Sequence, residues 1–316
     1  MPELSVIIPG YQRRDALQAC LSAMTNQTLD YERFEVIVVD DGSDDGTYDF
    51  LNSADYPFHV RVLRQKNVGP GAARNRGSRD AEGRYLLFLD DDVVASPALL
   101  EEHLALHSGQ DGVVGLGRIR YDADRNDWYL NAFADCWNRR YDQMQDGYCD
   151  WQDLYSANVS LPRSMFDEVG GFTEDRRPGE DVELGCRLQA SGAKFVYLPS
   201  AIATHPNNKT RNDILSDTES QGAVAVHLAQ SHNNVLAALS AGWDEIREFK
   251  VTVKNTRDLP VKVEIKRNFN TTYWDIEKDG DFDKYEQVDK DTVKFTVELK
   301  PRSTKVFAYV LTTYHL

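Results

Sequence analysis

Tyr85-Leu-Leu-Phe-Leu-Asp-Asp-Asp92 is the stretch that decides the fold. Five apolar residues without polar alternation read as a strand covered on both faces, since a half-exposed strand would alternate. Three carboxylates follow at once, and at a buried strand end they are costly unless a cation neutralises them. Oxygen ligands of this kind suit Mg2+ or Mn2+. Outward from this stretch the design repeats. Leu4–Pro9, Phe34–Val39, His59–Leu63 and Gly112–Leu116 are short runs rich in Val, Ile and Leu. Helix candidates lie at about 13–25, 45–53, 70–81 and 96–107, the last opened by Ser96-Pro97, an N-cap with Pro at the first helical position. Strand–helix–strand repetition predicts an α/β fold, a mostly parallel sheet flanked by helices with right-handed crossovers. Ligands of such sheets sit beyond the carboxyl ends of the strands.

Those ends carry chemistry. After the first strand comes Pro9-Gly10-Tyr11, where a ring could stack on a flat base. The second ends in Asp40-Asp41-Gly42-Ser43. The third runs into Gln65–Asn75, a glycine-containing turn that opens a helix but lacks the P-loop pattern. Arg74, on the first turn of that helix, could meet a phosphate or brace the acidic cluster. Arg177–Leu188 opens a further helix with Glu180 and Asp181 in its first turn, where the macrodipole favours negative charge. These two could cap the helix, or one could face the cleft as a general base. Leu184 and Leu188 are simply core. The strand Phe195–Leu198 leads to His205, a nitrogen donor that could complete a metal site. His103 and His107 share the i, i+4 spacing of a zinc pair but read as part of an ordinary amphipathic helix. Each feature alone has a bland reading as a solvated loop; several on one rim do not.

Composition narrows the function. Among 316 residues, 51 acidic against 36 basic ones give a net charge of −15, which repels phosphate backbones and argues against nucleic acid as a partner. Cys20, Cys136, Cys149 and Cys186 form no CxxC pair, so neither a disulfide scaffold nor a zinc knuckle is expected. No apolar run approaches the length of a membrane span, and the first residues read as a strand, not a signal peptide. The expected location is the cytoplasm, with peripheral contact at the inner face of the membrane allowed. A seam falls near residue 248: residues 1–248 hold 20 Arg and three Lys, residues 249–316 three Arg and ten Lys, and 19 of the 20 glycines precede it. Beyond the seam, Phe249-Lys-Val-Thr-Val-Lys254 and Val261-Lys-Val-Glu-Ile-Lys266 alternate with period two, as half-exposed antiparallel strands do. Strands are predicted at 248–254, 261–267, 292–299 and 305–311, with turns at Asn255–Pro260 and Asp279-Gly280. The expected organisation is a sheet domain over 1–210, a helical connector over 211–247 and a small β-sandwich over 248–316.

Together, Ser5-Val-Ile-Ile-Pro9, Val39-Asp-Asp-Gly-Ser43, Asn67-Val-Gly-Pro-Gly-Ala-Ala-Arg-Asn75, Phe88-Leu-Asp-Asp-Asp92, Gly170-Gly171-Phe172, Gly179-Glu-Asp181 and His205 resemble the family 2 glycosyltransferases of the GT-A fold. The resemblance covers about residues 3–206. It implies inverting transfer of a hexosyl or N-acetylhexosaminyl group from a nucleotide-sugar donor, a UDP-sugar, to a hydroxyl of a saccharide or lipid-linked saccharide. By motif position, Pro9 and Tyr11 would flank the base, Asp41 would bond its edge, and Arg74 would lie near the nucleotide. Asp91 would contact ribose or sugar, Asp92 would hold the divalent cation, Asp181 would take the acceptor's proton, and His205 would be a further metal or phosphate contact. Gly10 and Gln12 depart from the pattern, where relatives more often carry a small polar residue and then Tyr-Asn. Region 118–157 is rich in aromatics, among them Trp128, Tyr129, Phe133, Trp137, Tyr148 and Tyr155. In the family the acceptor enters near there; a partly buried helix packed on the sheet is the equal alternative.

The tail resembles the immunoglobulin-like C-terminal modules of some bacterial proteins, on the strength of Val253–Pro260. A packing or homo-oligomerisation module is preferred there over a carbohydrate binder. Two other functions compete with the transferase. A sugar-nucleotide-binding or scaffolding protein without turnover would have less use for both the acidic triplet and Glu180-Asp181. A nucleotidyltransferase should carry a glycine-rich basic loop after the first strand, and Gly10–Arg14 is too short for that.

Overall fold

The computed structural model describes residues 1–110, 112–122, 127–144, 149–174, 179–206, 245–268, 274–280, 284–288 and 292–313, with 210, 212 and 214. The chain divides into two compact units, Met1–Val224 and Ala225–Leu316. The expected 211–247 connector lies almost wholly outside the described residues. No helix among the described residues is long and apolar enough to cross a membrane.

The first unit runs β1 (Leu4–Gly10), α1 (Arg14–Met24), β2 (Phe34–Asp40), α2 (Thr47–Ser53), β3 (His59–Arg64), α3 (Pro70–Asp80), β4 (Tyr85–Leu89), β5 (Val94–Ala95), α4 (Leu99–His107), β6 (Val113–Tyr121), α5 (Trp128–Met144), β7 (Asn158–Pro162), α6 (Arg163–Glu168), α7 (Glu180–Ala190) and β8 (Lys194–His205). Its strands form one sheet in the order β3-β2-β1-β4-β7-β6-β8-β5. The pairs β1–β2, β1–β4, β2–β3 and β6–β8 are parallel. The runs of β1, β2 and β4 behave as two-sided strands, buried throughout, whereas β3, at the sheet edge, is exposed at both ends and only half-buried between. Leu4, Val6 and Ile8 of β1 face one core with Leu17 and Leu21 of α1 and Leu99 of α4. Ile7 faces the other, with Phe88, Ala73 of α3 and Leu184 and Leu188 of α7.

β7 departs from the expected strand–helix alternation. It was not marked by an apolar run, and it pairs antiparallel to both β4 and β6. Its inward polar residues are paid for by a buried network. Asn158 Nδ2 donates to Ala201 O (2.9 Å) and Arg118 O (3.2 Å), so its Oδ1 must accept from His103 Nε2 (2.9 Å). His103 Nδ1 then accepts from Ser160 Oγ (2.8 Å), which in turn accepts from His107 Nε2 (2.8 Å). Burial pushes both histidines down to about 4, which keeps them neutral. Gly115 and Gly117 of β6 make room for this network: a Cβ at Gly115 would lie 2.8 Å from Ser160 Oγ, and one at Gly117 would lie 2.6 Å from Asn158 Oδ1. Gly117→Ala is therefore expected to destabilise the unit by about 1–3 kcal/mol, because Asn158 cannot move without losing buried hydrogen bonds. A lower urea midpoint with an unchanged slope would show it; an unchanged midpoint would mean the network yields.

The second unit has two three-stranded antiparallel sheets, formed by β9 (Glu245–Lys254), β10 (Val261–Asn268), β11 (Trp274–Gly280), β12 (Lys284–Gln287), β13 (Thr292–Leu299) and β14 (Thr304–Thr313). Their orders are β10-β13-β12 and β11-β14-β9. Val293, Phe295, Val297 and Leu299 form the core, with Val251, Val253, Val261, Val263 and Ile265 packed on it, as period-two alternation requires. The Asn255–Pro260 turn is present, clamped by Asn255 Nδ2 to Leu259 O (2.8 Å) and Lys300 O (2.9 Å). Asp279-Gly280 is not a turn: these residues end β11, paired with Ala308 and Phe307. Local turn propensity there yields to strand pairing.

Candidate active site

The parallel strands share one direction, so their carboxyl ends share one rim. Asp41 follows β2, the acidic triplet follows β4, Tyr121 ends β6 and His205 ends β8. The N-termini of α3 and α7 bring Arg74 and Asp181 to the same rim.

A clamp between two motifs sets the helix positions. Asn75 Nδ2 donates to Phe172 O (2.8 Å), and Phe172 N donates to Asn75 Oδ1 (2.8 Å). Gly71 and Gly171 permit the approach, since a Cβ at Gly171 would lie 2.6 Å from Asn75 Oδ1. Asp41 organises the turn before α3: its carboxylate accepts from Gly69 N (2.8 Å), Val68 N (3.0 Å) and Gln65 Nε2 (2.9 Å). Gly69, at φ 115°, is in a region that favours glycine and starts the helix. Pro9 is buried, whereas Tyr11 stands 46% exposed beside it.

Arg74 is ion-paired within the acidic cluster. It is 4% exposed, with Nη2 2.7 Å from Asp90 Oδ1 and Nη1 3.3 Å from Glu180 Oε1 and 3.9 Å from Asp181 Oδ1. Its guanidinium also lies over the Phe172 ring at 5.4 Å. Asp181 Oδ2 accepts from Ser156 N (3.1 Å), while Oδ1 is sealed and has no hydrogen-bond partner among the described residues. A quarter of the side chain remains exposed, so solvent reaches it elsewhere than at Oδ1. Burial raises the Asp181 carboxyl to about 6, against the pull of Arg74 and with the repulsion of Glu180.

Asp91 and Asp92 lie beside a cation that the sequence did not single out. Arg13 Nη1 is 2.5 Å from Asp92 Oδ2 and 3.3 Å from Asp91 Oδ1. Asp92 Oδ2 also faces His205 Nε2 at 3.5 Å. Asp91 accepts from the Tyr11 backbone N–H; burial raises its carboxyl to about 7, Arg13 opposing and Asp92 and Asp90 adding to the rise. His205 stacks on Tyr121 (5.1 Å, 22°), which leads to Phe133, Trp137 and Tyr155 through successive ring contacts. Tyr141 and Met144 of α5 are buried with Ile119, so this helix packs on the sheet. The side chains of Trp128, Tyr129 and Tyr148 lie outside the described residues, as do residues 175–178.

The structure therefore brings Asp91, Asp92 and His205 into one group, and Arg74, Asp90, Glu180 and Asp181 into a second joined to it through the triplet. Asp41 sits apart with its own turn. His103 and His107 belong to the β7 network. Sequence reasoning missed Arg13 and the Ser156 N–H; the first looks like a solvated helix start, and a backbone donor has no side-chain signature. No group of three or more His, Cys, Asp and Glu arranged to hold a metal occurs among the described residues. Asp92 Oδ2 and His205 Nε2 stand 3.5 Å apart on the rim, with Arg13 on the same carboxylate oxygen.

The sequence profile of glycosyl transferase family 2 matches residues 5–170. The chain belongs to that family. Validoxylamine A glucosyltransferase of Streptomyces hygroscopicus subsp. jinggangensis (strain 5008) is 34% identical over 221 residues, 61% of this chain and 52% of that protein. The chain thus spans about half the length of the curated relatives it matches. Among solved structures, the mannosyltransferase PcManGT from Pyrobaculum calidifontis, in complex with GDP-Man and Mn2+, superposes with a TM-score of 0.57 at 17% identity, over 73% of this chain and 64% of that one. S. aureus TarS 1–349, in complex with UDP-GlcNAc, gives 0.54 at 19% identity, over 72% and 66%. These likenesses show that the family 2 domain has the GT-A fold, a mostly parallel sheet flanked by helices.

Proposed function

We propose that the chain is an inverting glycosyltransferase that moves a sugar from a UDP-sugar to an acceptor hydroxyl, with Asp181 as general base and a divalent cation, Mn2+ or Mg2+, held at Asp92 and His205. The observation that carries this reading is a charge imbalance at one strand-end rim. Among the described residues, Asp90, Asp91, Asp92, Glu180 and Asp181 stand there against the guanidinium groups of Arg13 and Arg74. A buried excess of carboxylates calls for further positive charge. Asp92 Oδ2 and His205 Nε2, one oxygen and one nitrogen donor 3.5 Å apart and both nearly buried, suit a divalent ion that leaves positions for diphosphate oxygens. TarS with UDP-GlcNAc and PcManGT with GDP-Man and Mn2+ support a nucleotide-sugar donor with a cation.

When bound, the cation offsets the charge that develops on the leaving diphosphate. Tyr11 offers its exposed ring to the base beside Pro9, and Asp41, whose N–H donates to Gly10 O (2.8 Å), holds the turn before α3 next to it. Asp91 faces the ribose or sugar. Arg74 fixes Asp90 and α7 from behind, and Ser156 N–H orients Asp181. As the acceptor oxygen bonds to C1 and the bond from C1 to the diphosphate oxygen breaks, Asp181 takes the acceptor's proton; attack opposite the leaving group inverts the anomeric centre. The acceptor is a saccharide or lipid-linked saccharide, with the aromatic surface around Tyr121 as its nearest platform.

The test is UDP release from a panel of UDP-hexoses and UDP-N-acetylhexosamines, with saccharide acceptors and Mn2+, followed across pH. A base must be deprotonated to act, and the Asp181 carboxyl is raised to about 6. The value of kcat/KM is therefore expected to be level above that pH and to fall about tenfold per pH unit below it. A profile flat to pH 5 would remove Asp181 as the base. Donors that bind but never turn over would favour the scaffolding alternative.

A further inference from the structure

Among the described residues, Arg13 is the cation nearest the acidic triplet's tip, and its place there bears on how the site loads. The inference rests on the nucleotide and cation reading above. Three observations converge. The oxygen it holds most closely, Asp92 Oδ2, is the same oxygen that faces His205 Nε2. Its side chain is 51% exposed, whereas those of Asp91 and Asp92 are 8% and 7% exposed, so only the arginine can turn into water without disturbing the core. Its backbone is pinned, while its side chain is held only through the ion pairs at its tip. Gln12, in the left-handed region at φ 56°, donates from N to Ser43 Oγ (3.0 Å), and Arg13 O accepts from Leu17 N (3.0 Å).

We propose that Arg13 is the resident counter-charge of Asp91 and Asp92, that it competes with the divalent cation for Asp92, and that once displaced it contacts the donor's diphosphate. Two positive groups on one carboxylate oxygen repel, so the guanidinium leaves Asp92 when the cation arrives. Its long stem then carries it along the mouth of the cleft, where a planar fork of N–H donors suits phosphate oxygens. In donor-free protein the guanidinium thereby offsets part of the charge of the carboxylate pair, and cation uptake is coupled to donor capture.

The experiment measures Mn2+ binding without nucleotide, by the electron paramagnetic resonance of free Mn2+, for the wild type, Arg13→Met and Arg13→Lys. UDP is then titrated into each Mn2+-saturated protein. Arg13→Met is expected to bind Mn2+ about tenfold more tightly, equivalent to ~1.4 kcal/mol of relieved competition, and to bind UDP more weakly in the Mn2+-saturated state. Arg13→Lys should fall between, and carries the test if Arg13→Met does not fold. Unchanged or weaker Mn2+ affinity in folded Arg13→Met, with Mn2+-dependent UDP binding in the wild type, overturns the role of Arg13 and leaves the donor reading standing. Tighter Mn2+ binding in the variant with no UDP binding by any protein supports the counter-charge role and overturns the donor reading. Loss of UDP binding in Arg13→Met without any Mn2+ dependence in the wild type would make Arg13 a replacement for the cation and overturn the competition.

Discussion

Asp181→Asn is expected to lower turnover by roughly 10²–10⁴-fold, a general base's usual contribution, with UDP affinity retained. The substitution is close to isosteric. The amide oxygen can still accept from Ser156 N, and Arg74 keeps Asp90 at 2.7 Å and Glu180 at 3.3 Å. What is lost is the carboxylate's negative charge beside Arg74, and with it the basicity of the remaining oxygen. Proton acceptance is expected to fail while the proposed nucleotide end, at the turns around Tyr11 and Asp41, is untouched. Steady-state rates at saturating donor, set beside calorimetric UDP affinity, separate the two effects. A variant turning over within about threefold of the wild type would assign the base elsewhere, since a working base is worth far more than that.

Asp92→Asn is expected to weaken Mn2+-dependent UDP binding by about 10- to 100-fold, because losing even an indirect support of a metal ligand costs that much. The sign reverses without metal. Asp92 is buried beside Asp91, so its negative charge repels the diphosphate, and the neutral amide should bind UDP slightly better in excess EDTA. A merely structural lesion would weaken both. Equal weakening in the two conditions would therefore remove Asp92 from the cation site.

The centre of the sheet was legible because β1, β2 and β4 are buried along their whole length and are almost wholly apolar. Leu4–Gly10 and Tyr85–Leu89 needed nothing beyond local sequence. β7 was not legible. Asn158-Val-Ser-Leu-Pro162 carries polar residues that are acceptable only because His103 and His107, more than fifty residues earlier, satisfy them. Gly115 and Gly117 looked like weak points in a strand until the network they accommodate was in view. At the rim, the strand-end rule located the carboxylates and His205, but it could not choose between the two roles open to Arg74. That choice depends on α7 placing Glu180 against it across a separation of 106 residues. Arg13 stayed hidden for a related reason: an arginine before a helix looks solvated until the turn at Gln12 aims it at the triplet. In the second unit, alternation disclosed β9, β10, β13 and β14, the first three of which supply the described core, whereas β11 and β12 are too charged to announce themselves.

The central claim is that the carboxylate rim is a diphosphate site completed by a divalent cation. Calorimetric titration of UDP into the protein with Mn2+, repeated in excess EDTA, tests it most directly. The expected result is saturable binding of one UDP per chain with Mn2+ and binding at least about tenfold weaker without it. Equal binding in both conditions would contradict the cation site at Asp92 and His205, and no binding in either would contradict the UDP-donor reading.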